Sequence, residues 1–290
     1  MVSPKYSEKA FIPGVPEPMD EEDIVTGPQF GLKRFVYRYA YSLLGLTGIG
    51  LFVSLWSVIS IVGRVPEYLI PAPHLVAASL YDLFASKAII PHLWFSVQEF
   101  LVGYSLAAIS GVSLGLLMGW YKGVNYLSDM LVSALYSTPR IAFVPLFLIF
   151  FGVIGIWKTA ATVFIMAFFP ILVNTLAGVK LCEESYIRMG RALGATDYQL
   201  IRDVVIRGSF PSVIAGLRLA TSLGLTALVV GDLYGAQAGL GYLLFLYGNA
   251  FRTSEMMAVI LVFSLTGVLV NAALKRIEDH FSAWRLRVAD

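Results

Sequence analysis

The sequence predicts an all-α integral membrane protein with six transmembrane helices. Its 290 residues are 58% hydrophobic and 14% charged, with a mean hydropathy of +0.76. Soluble domains average about 45–50% apolar and about 25% charged residues. Residues 40–63 carry no charge and exceed the roughly 20 residues that a helix needs to cross a bilayer. Further uncharged segments of this kind recur along the chain, so we expect membrane helices and not a water-soluble core.

The polar ends of the chain are predicted to be cytoplasmic tails, at residues 1–35 and 281–290. The first 35 residues contain five prolines and the acidic run 20–23, and they lack the apolar core of a signal peptide. A segment of this composition is disordered unless a partner holds it. Between the tails we expect the first transmembrane helix within 36–64 and the core membrane domain within 65–280.

Within the first helix the apolar span is 40–63, and a proline-rich connection and a short amphipathic stretch follow, to about residue 89. The remaining spans are predicted by their apolar runs. Pro139 is expected to break or kink the third of the six spans, because proline removes a helical hydrogen bond. The five later spans are expected at about 92–120, 124–152, 158–181, 211–235 and 255–274.

Basic residues predict the orientation of these spans. Four groups of lysine and arginine precede the first span, lie between the second and third and between the fourth and fifth, and follow the sixth. Six crossings place all four groups on one side of the membrane. Short basic loops face the cytoplasm, so both termini are expected there.

Polar residues inside the spans have two open interpretations each. Arg140, beside Tyr136 at the predicted break, either attracts an anion or extends to the cytoplasmic edge. Asn174 and Thr175 either line a translocation path or satisfy backbone groups near Pro170. Asp232, at the outer end of the fifth span, is either an interfacial anchor or part of a gate. The glycines at 111, 115 and 119 recur every four residues, as in helix-packing stripes or in a hinge.

The charged segment 183–208 is predicted to form an elbow of two short amphipathic helices on the cytoplasmic side. Gly194 would end the first helix, and Thr196 with Gln199 has the form of a capping box that starts the second. The apolar face of the second helix would contain Leu200, with Arg202 and Asp203 turned outward. Such an elbow either rests on the lipid surface or docks a cytoplasmic subunit, its apolar residues filling the partner's groove and its charges fixing orientation.

Several segments resemble one family in order and spacing. They are LIPAPHLVAASL, EFLVGYSLAAISGVSLGLLMGW, VPLFLIFFGVIGIWKTA, FFPILVNTLAGV, MGRALGATDYQLIRDVVIRGSFPSVIAGLRLA and GDLYGAQAGLGYLL. Together they resemble the inner-membrane permeases of ABC importers, in the branch that serves nitrate, bicarbonate, taurine, alkanesulfonates and thiamine pyrimidines. The resemblance covers roughly residues 66–280 and implies the fold of a type I importer permease.

The resemblance implies a multi-pass transport subunit in the cytoplasmic (inner) membrane of a bacterium, and one that is not an enzyme. Its partners would be two ATP-binding-cassette ATPases, a second permease that is identical or a paralogue, and an extracytoplasmic solute-binding protein. The segment 183–208 would be the coupling loop that an ATPase cleft receives. The residues expected to couple to the ATPase are Glu184, Arg188, Gly190, Arg191, Gly194, Ala195, Leu200, Arg202 and Asp203.

Two residues depart from the family's coupling loop. Arg188 stands at the position of its usual glutamate, and Arg207 at the position of its usual proline. Glu184, one helical turn before Arg188, either supplies the acid or pairs with Arg188. We expect that the ATPase surface opposite these arginines is unusually acidic, or that two different permease chains form the pair.

Other features limit the alternatives. No P-loop motif occurs, so ATP and Mg²⁺ would be bound by a separate ATPase. The single cysteine and three scattered histidines have no metal-site spacing, and no cofactor or nucleic acid is expected for this chain. A membrane enzyme would require a cluster of catalytic groups. An ATP-independent secondary transporter would require an internal repeat or several intramembrane acids, of which Asp232 is the clear example.

Overall fold

The computed structural model describes residues 30–63, 65–182 and 184–282, and all regular structure in these ranges is helical. Most of the two predicted tails therefore lies outside the described residues. The chain forms two compact units, residues 1–56 and residues 57–290. The described part of the first unit belongs to helix α1, Phe30–Ser57, after which a π-helical turn, Val58–Val62, continues the run. This helix starts earlier than the predicted apolar span, and no proline interrupts residues 30–57.

The second unit contains ten further α-helices in its described part. Four of them are long enough to cross a membrane: α3 (Ile89–Trp120), α6 (Trp157–Lys180), α9 (Ile206–Leu233) and α11 (Thr253–Ser282). The shorter ones are α2 (Pro73–Ala85), α4 (Lys122–Ser137), α5 (Val144–Phe151), α7 (Glu184–Ala192), α8 (Asp197–Leu200) and α10 (Leu240–Asn249). The spans predicted at 92–120, 158–181 and 255–274 correspond to α3, α6 and α11. Helix α10 lies between the fifth and sixth spans and was not predicted.

Helices α3, α6 and α9 form the core of the second unit. Ala107 of α3, Ala167 and Ile171 of α6 and Ala220 of α9 are completely buried and pack as one cluster. The Tyr104 hydroxyl donates a hydrogen bond to the backbone oxygen of Leu217 over 2.8 Å, which joins α3 to α9. Small residues at the centre let the three backbones approach closely, as membrane helices require.

The glycine stripe of α3 packs on α6. A Cβ added at Gly115 would lie 2.7 Å from the Cβ of Thr175, and one added at Gly119 would lie 2.5 Å from the Cβ of Val179. Gly111 faces Ile171 in the same way. The structure therefore supports the packing interpretation of the stripe. Residue numbers increase together along the two helices, so α3 and α6 run parallel.

The predicted break of the third span at Pro139 is confirmed. Helix α4 ends at Ser137, a short 3-10 turn covers Arg140–Phe143, and α5 leaves at 91° to α4. The described residues thus hold five helices that could span a membrane, or six spans if the bent pair counts as one. Because α3 and α6 are parallel, the chain between them must return along most of the length of α3. The bent pair lies in this return, where the third of six spans was predicted.

The predicted boundary between the elbow and the fifth span is wrong. We expected the fifth span to start at Pro211, but α8, a π-helical turn at Ile201–Val205 and α9 form one helical run over Asp197–Leu233. Pro211 is the sixth residue of α9. It removes one backbone hydrogen bond without ending the helix. The second helix of the elbow is consequently the start of the fifth span.

Candidate functional site

The elbow turns at a glycine that must adopt a left-handed backbone conformation. After α7 ends at Ala192, Gly194 has φ +83°, which L-residues with a Cβ adopt only with strain. The amide of Ala195 donates to the backbone oxygen of Gly190 over 3.0 Å and closes the turn. The first helix was predicted to end at Gly194, and α7 ends two residues earlier, at Ala192. The prediction is therefore confirmed to within two residues.

The capping box predicted at Thr196 is present. The Thr196 amide donates to Oε1 of Gln199 over 2.8 Å, and the Gln199 amide donates to Oγ1 of Thr196 over 3.4 Å. These bonds satisfy amides that the first turn of a helix otherwise leaves unpaired. They anchor the turn to the start of the long run that ends at Leu233.

The apolar residues of the elbow divide into an inner and an outer set. Leu200 is 2% exposed, and its side chain fills the space beside Gly190, where an added Cβ would lie 2.6 Å from Cδ2 of Leu200. Met189 on α7 is 56% exposed, and Leu193, directly after α7, is 81% exposed. This differs from the expectation that the elbow's apolar residues fill a partner's groove. Leu200 packs inside the chain, and α7 provides the outer apolar surface.

Charged side chains of the elbow form ion pairs with one another, and one pair joins its two halves. Arg191 Nη2 lies 3.4 Å from Asp197 Oδ1. Asp203 accepts two hydrogen bonds from Arg202, at 3.1 and 3.2 Å, and also lies 3.5 Å from Arg207. Exposed pairs of this kind contribute only about 0–1 kcal/mol each to stability. Their main effect is to determine the shape and charge of the surface of the elbow.

Arg188 lies on the exposed side of α7. Helix α7 begins at Glu184, but the side chain of Glu184 lies outside the described residues. The proposed pairing of Glu184 with Arg188 therefore stays a prediction.

The bent third span places Arg140 against α6. Its guanidinium carbon lies 5.2 Å from the centre of the Tyr136 ring, and Nη1 donates to the backbone oxygen of Met166 over 3.4 Å. Pro170 cannot donate to that oxygen, because proline has no amide hydrogen and Met166 is its i−4 residue. Arg140 thus hydrogen-bonds the carbonyl that the proline inside α6 leaves without its helical donor.

Asn174 and Thr175 have local packing roles in the structure. Nδ2 of Asn174 donates to the backbone oxygen of Pro170 over 2.8 Å, which is the alternative of backbone satisfaction predicted from the sequence. Thr175 is buried against Gly115, and its hydroxyl has no hydrogen-bond partner among the described residues.

The five residues proposed for a translocation path do not form one site. Asp232 contacts Thr159 near the start of α6, and Thr175 lies near its other end. Sixteen helical residues separate the two threonines, or roughly 24 Å at the rise of an α-helix. Arg140 and Tyr136 contact α6 between these two levels.

Sequence reasoning missed a buried group of charged side chains around Asp232, which we call the polar cluster: Glu99, Lys158, Thr159 and Asp232. Asp232 is 2% exposed, so it is no interfacial anchor. Its Oδ1 accepts a hydrogen bond from Thr159 over 3.0 Å. Glu99 and Lys158, which are 1% and 2% exposed, interact electrostatically with Asp232.

The polar cluster holds the loop between α9 and α10. Asp232 Oδ2 accepts the amide of Gly241 over 3.1 Å, and Lys158 Nζ donates to the backbone oxygen of Tyr234 over 2.9 Å. Two residues of α3 also accept amides at the start of α10: Ser96 from Leu240 over 2.8 Å, and His92 Nδ1 from Gly239, the residue before α10, over 3.3 Å. The sequence signal for this cluster was a charge in each of three predicted spans, which is costly unless the charges meet.

Comparison with known proteins identifies the family. Residues 111–287 match the model of the binding-protein-dependent transport system inner membrane component. The chain is 34% identical, over 70% of its length and 76% of the relative, to a putative ABC transporter permease protein of Methanocaldococcus jannaschii. It is 33% identical, over 75% of its length and 86% of the relative, to the formylaminopyrimidine transport permease ThiX of Halalkalibacterium halodurans.

A third relative belongs to the same branch. The putative aliphatic sulfonates transport permease SsuC of Bacillus subtilis is 27% identical, over 86% of this chain and 89% of the relative. Taurine and nitrate permeases are also among the similar proteins. An inward-facing structure of the MetNI methionine ABC transporter shares the fold, with a TM-score of 0.60 and 19% identity over 67% of this chain and 95% of that one.

These matches agree with an all-helical chain that contains five or six apolar candidate spans in its described part. The chain belongs to the binding-protein-dependent transport system inner membrane components, as a multi-pass permease subunit of an ABC importer in the branch of the nitrate, taurine and sulfonate permeases.

Proposed function

We propose that the chain forms one half of the translocation path for a small anionic solute of the nitrate, bicarbonate, sulfonate or taurine type. We further propose that the elbow receives the closing motion of a separate ATPase. The observation that carries this proposal is the unbroken helical run Asp197–Leu233. A helix is stiff along its axis, so a displacement of the elbow moves the fifth span with it.

The proposed assembly contains two such permease chains, or this chain and a paralogue, with two ATPases and an extracytoplasmic solute-binding protein. ATP and Mg²⁺ bind to the ATPases. The membrane is the cytoplasmic membrane, with both termini on the cytoplasmic side. The exposed apolar residues of α7 and the exposed arginines of the elbow give an ATPase a surface with an apolar centre and a charged rim, as protein interfaces have.

Two observations support an anionic solute. The guanidinium of Arg140 has five donors, and the contact with Met166 leaves it further hydrogen-bonding capacity at the bend of the third span. The names of the related permeases give taurine, aliphatic sulfonates and nitrate as what those proteins transport. The test is uptake of labelled nitrate, bicarbonate, taurine and a pyrimidine precursor by the reconstituted complex.

The ATPase contact is tested by co-purification with the chain that carries the P-loop. Leu193→Asp places a charge on the exposed apolar surface at the end of α7 and is expected to lower recovery of the ATPase at least tenfold. Leu181→Asp is the matched control, because Leu181 is 77% exposed but lies outside the elbow. Equal recovery from both variants, or solute uptake by the isolated chain in vesicles without ATP, would overturn the proposal.

A further inference from the structure

A cleft of about 1050 Å³ lies between the turn from α3 to α4 and the elbow. One wall is formed by residues 119–124 and Leu127, and the other includes Lys180, Ile187 and Arg191. Binding sites for small molecules commonly measure about 300–1000 Å³, so this cleft is large enough for a ligand of substantial size. The cleft shares Arg191 with the surface proposed for the ATPase, but Lys122 and Lys180 lie outside the elbow and belong to neither the transport path nor the ATPase contact proposed above.

The cleft carries an excess of positive charge. Its lining includes Lys122, Lys180 and Arg191 against a single acid, Asp197, which already pairs with Arg191. In the part of the chain that the structure describes, neither lysine has an ion pair or side-chain hydrogen bond. The two ammonium groups come from different segments, the start of α4 and the end of α6. Both can therefore turn toward one anion between them.

The same cleft has an apolar side. Val124 and Leu127 line it, and Leu127 is 84% exposed. Trp120 and Tyr121 stand at its edge, and aromatic rings of this kind concentrate at membrane–water interfaces. The cleft thus has basic residues in one part of its lining and apolar residues in another. This combination suits an amphiphilic ligand better than a small soluble ion.

We propose that this cleft binds an anionic phospholipid, whose headgroup phosphate lies between Lys122 and Lys180 and whose acyl chain lies along Leu127. Basic pockets between membrane helices at the cytoplasmic surface are suited to anionic headgroups. Such a lipid would bridge the α3–α4 turn and the end of α6, directly before the elbow. The assignment to the inner leaflet rests on the orientation proposed above, whereas lipid binding itself can be measured in either orientation.

The test is retention of phosphatidylglycerol by the purified chain in neutral detergent, followed by native mass spectrometry. Each basic side chain near an anionic headgroup contributes roughly a fivefold gain in affinity, so we expect the double variant Lys122→Gln, Lys180→Gln to lose about 25-fold. Lys275→Gln is the matched control, because Lys275 is an exposed lysine that does not line the cleft. Phosphatidylcholine, which has no net charge, is expected to be retained weakly by all three proteins.

A second measurement needs no variant. A photoactivatable phosphatidylglycerol with its reactive group on the acyl chain is expected to label the wild-type chain within residues 119–127. Equal retention by the double variant and the control, or labelling elsewhere, overturns the proposal. Displacement of the lipid by inorganic phosphate alone also overturns it and assigns the cleft to a soluble anion. None of these outcomes depends on ATPase binding or uptake, so failure here leaves the proposed function to its own test.

Discussion

Asp232 is the residue on which the buried polar cluster depends. Its carboxylate accepts hydrogen bonds from Thr159 and Gly241 and lies near the buried Lys158. Asp232→Ala leaves the Thr159 hydroxyl and the Gly241 amide without their acceptor, and an unsatisfied buried donor costs about 1–3 kcal/mol. We expect the free energy of unfolding in mixed micelles to fall by about that amount. Asp129→Ala is the control, since Asp129 is exposed on α4. A similar loss from both variants would contradict this role.

Sequence reasoning succeeds with residues whose partners are local. The capping box at Thr196 was predicted because both members lie within four positions. Glu99, Lys158 and Asp232 come from three helices, and a single sequence does not reveal which buried charges meet. The contact of Arg140 with Met166 was missed for the same reason. Pro170 did indicate that a carbonyl in α6 would lack its donor, but not which side chain would supply one.

At the scale of helices, α3 packs closely on α6 because the glycines at 111, 115 and 119 of α3 have no side chain at the contact. An added Cβ at Gly115 would lie 2.9 Å from the Leu172 backbone oxygen as well as close to Thr175. Overpacking of this kind typically costs about 1–3 kcal/mol, so Gly115→Ala should lower the unfolding free energy by that amount. Gly123→Ala is the matched control, because nothing lies within 4 Å of its added Cβ. There, alanine should be neutral or slightly stabilising.

The elbow offers a test of coupling that leaves its surface intact. Thr196→Ala removes the hydroxyl that accepts the Gln199 amide, and the loss of such a cap costs about 0.5–2 kcal/mol. We expect ATPase binding to persist while solute uptake per ATP hydrolysed decreases. Thr196→Ser keeps the acceptor and should behave like the wild type. An unchanged ratio of uptake to hydrolysis in Thr196→Ala would show that the cap does not contribute to coupling.

The limits of sequence prediction for the helices have a physical cause. Apolar length predicted α3, α6 and α11 closely because lipid requires a nearly constant number of residues. The same reasoning placed a boundary at Pro211, where the polar segment ends. Composition indicates which residues lie in the membrane and which in water. It does not indicate where a helix starts, and here the capping box upstream starts a helix that continues past Pro211 into the apolar segment.

For the whole molecule, one helical run connects the two sites of interest. The run Asp197–Leu233 has 37 residues and is roughly 55 Å long at helical rise. Its first turn belongs to the elbow, and Asp232 in its last turn holds the loop that precedes α10. A displacement of the elbow therefore reaches the polar cluster through a single element. The elbow and the polar cluster lie at opposite ends of this helical run, which gives a physical path for the proposed coupling.

The orientation of this helical run in the membrane can be tested by cysteine labelling, because Cys182 is the sole cysteine of the sequence. Cys182→Ser gives a cysteine-free background, into which Gly123→Cys or Ile154→Cys is introduced. Both positions have room for the change, since nothing surrounds the added Cβ at Gly123 and Ile154 is 80% exposed. An impermeant maleimide is expected to label Ile154→Cys in intact cells and Gly123→Cys only after permeabilisation, because the bent third span separates them.

The pattern of labelling distinguishes two ways in which this topology could be wrong. Labelling of Gly123→Cys alone in intact cells would invert the orientation and place the elbow outside the cell, which is incompatible with a cytoplasmic ATPase. Labelling of both positions from the same side would mean that residues 122–151 do not cross the membrane. The parallel packing of α3 on α6 opposes that result, since two parallel neighbours require a crossing between them.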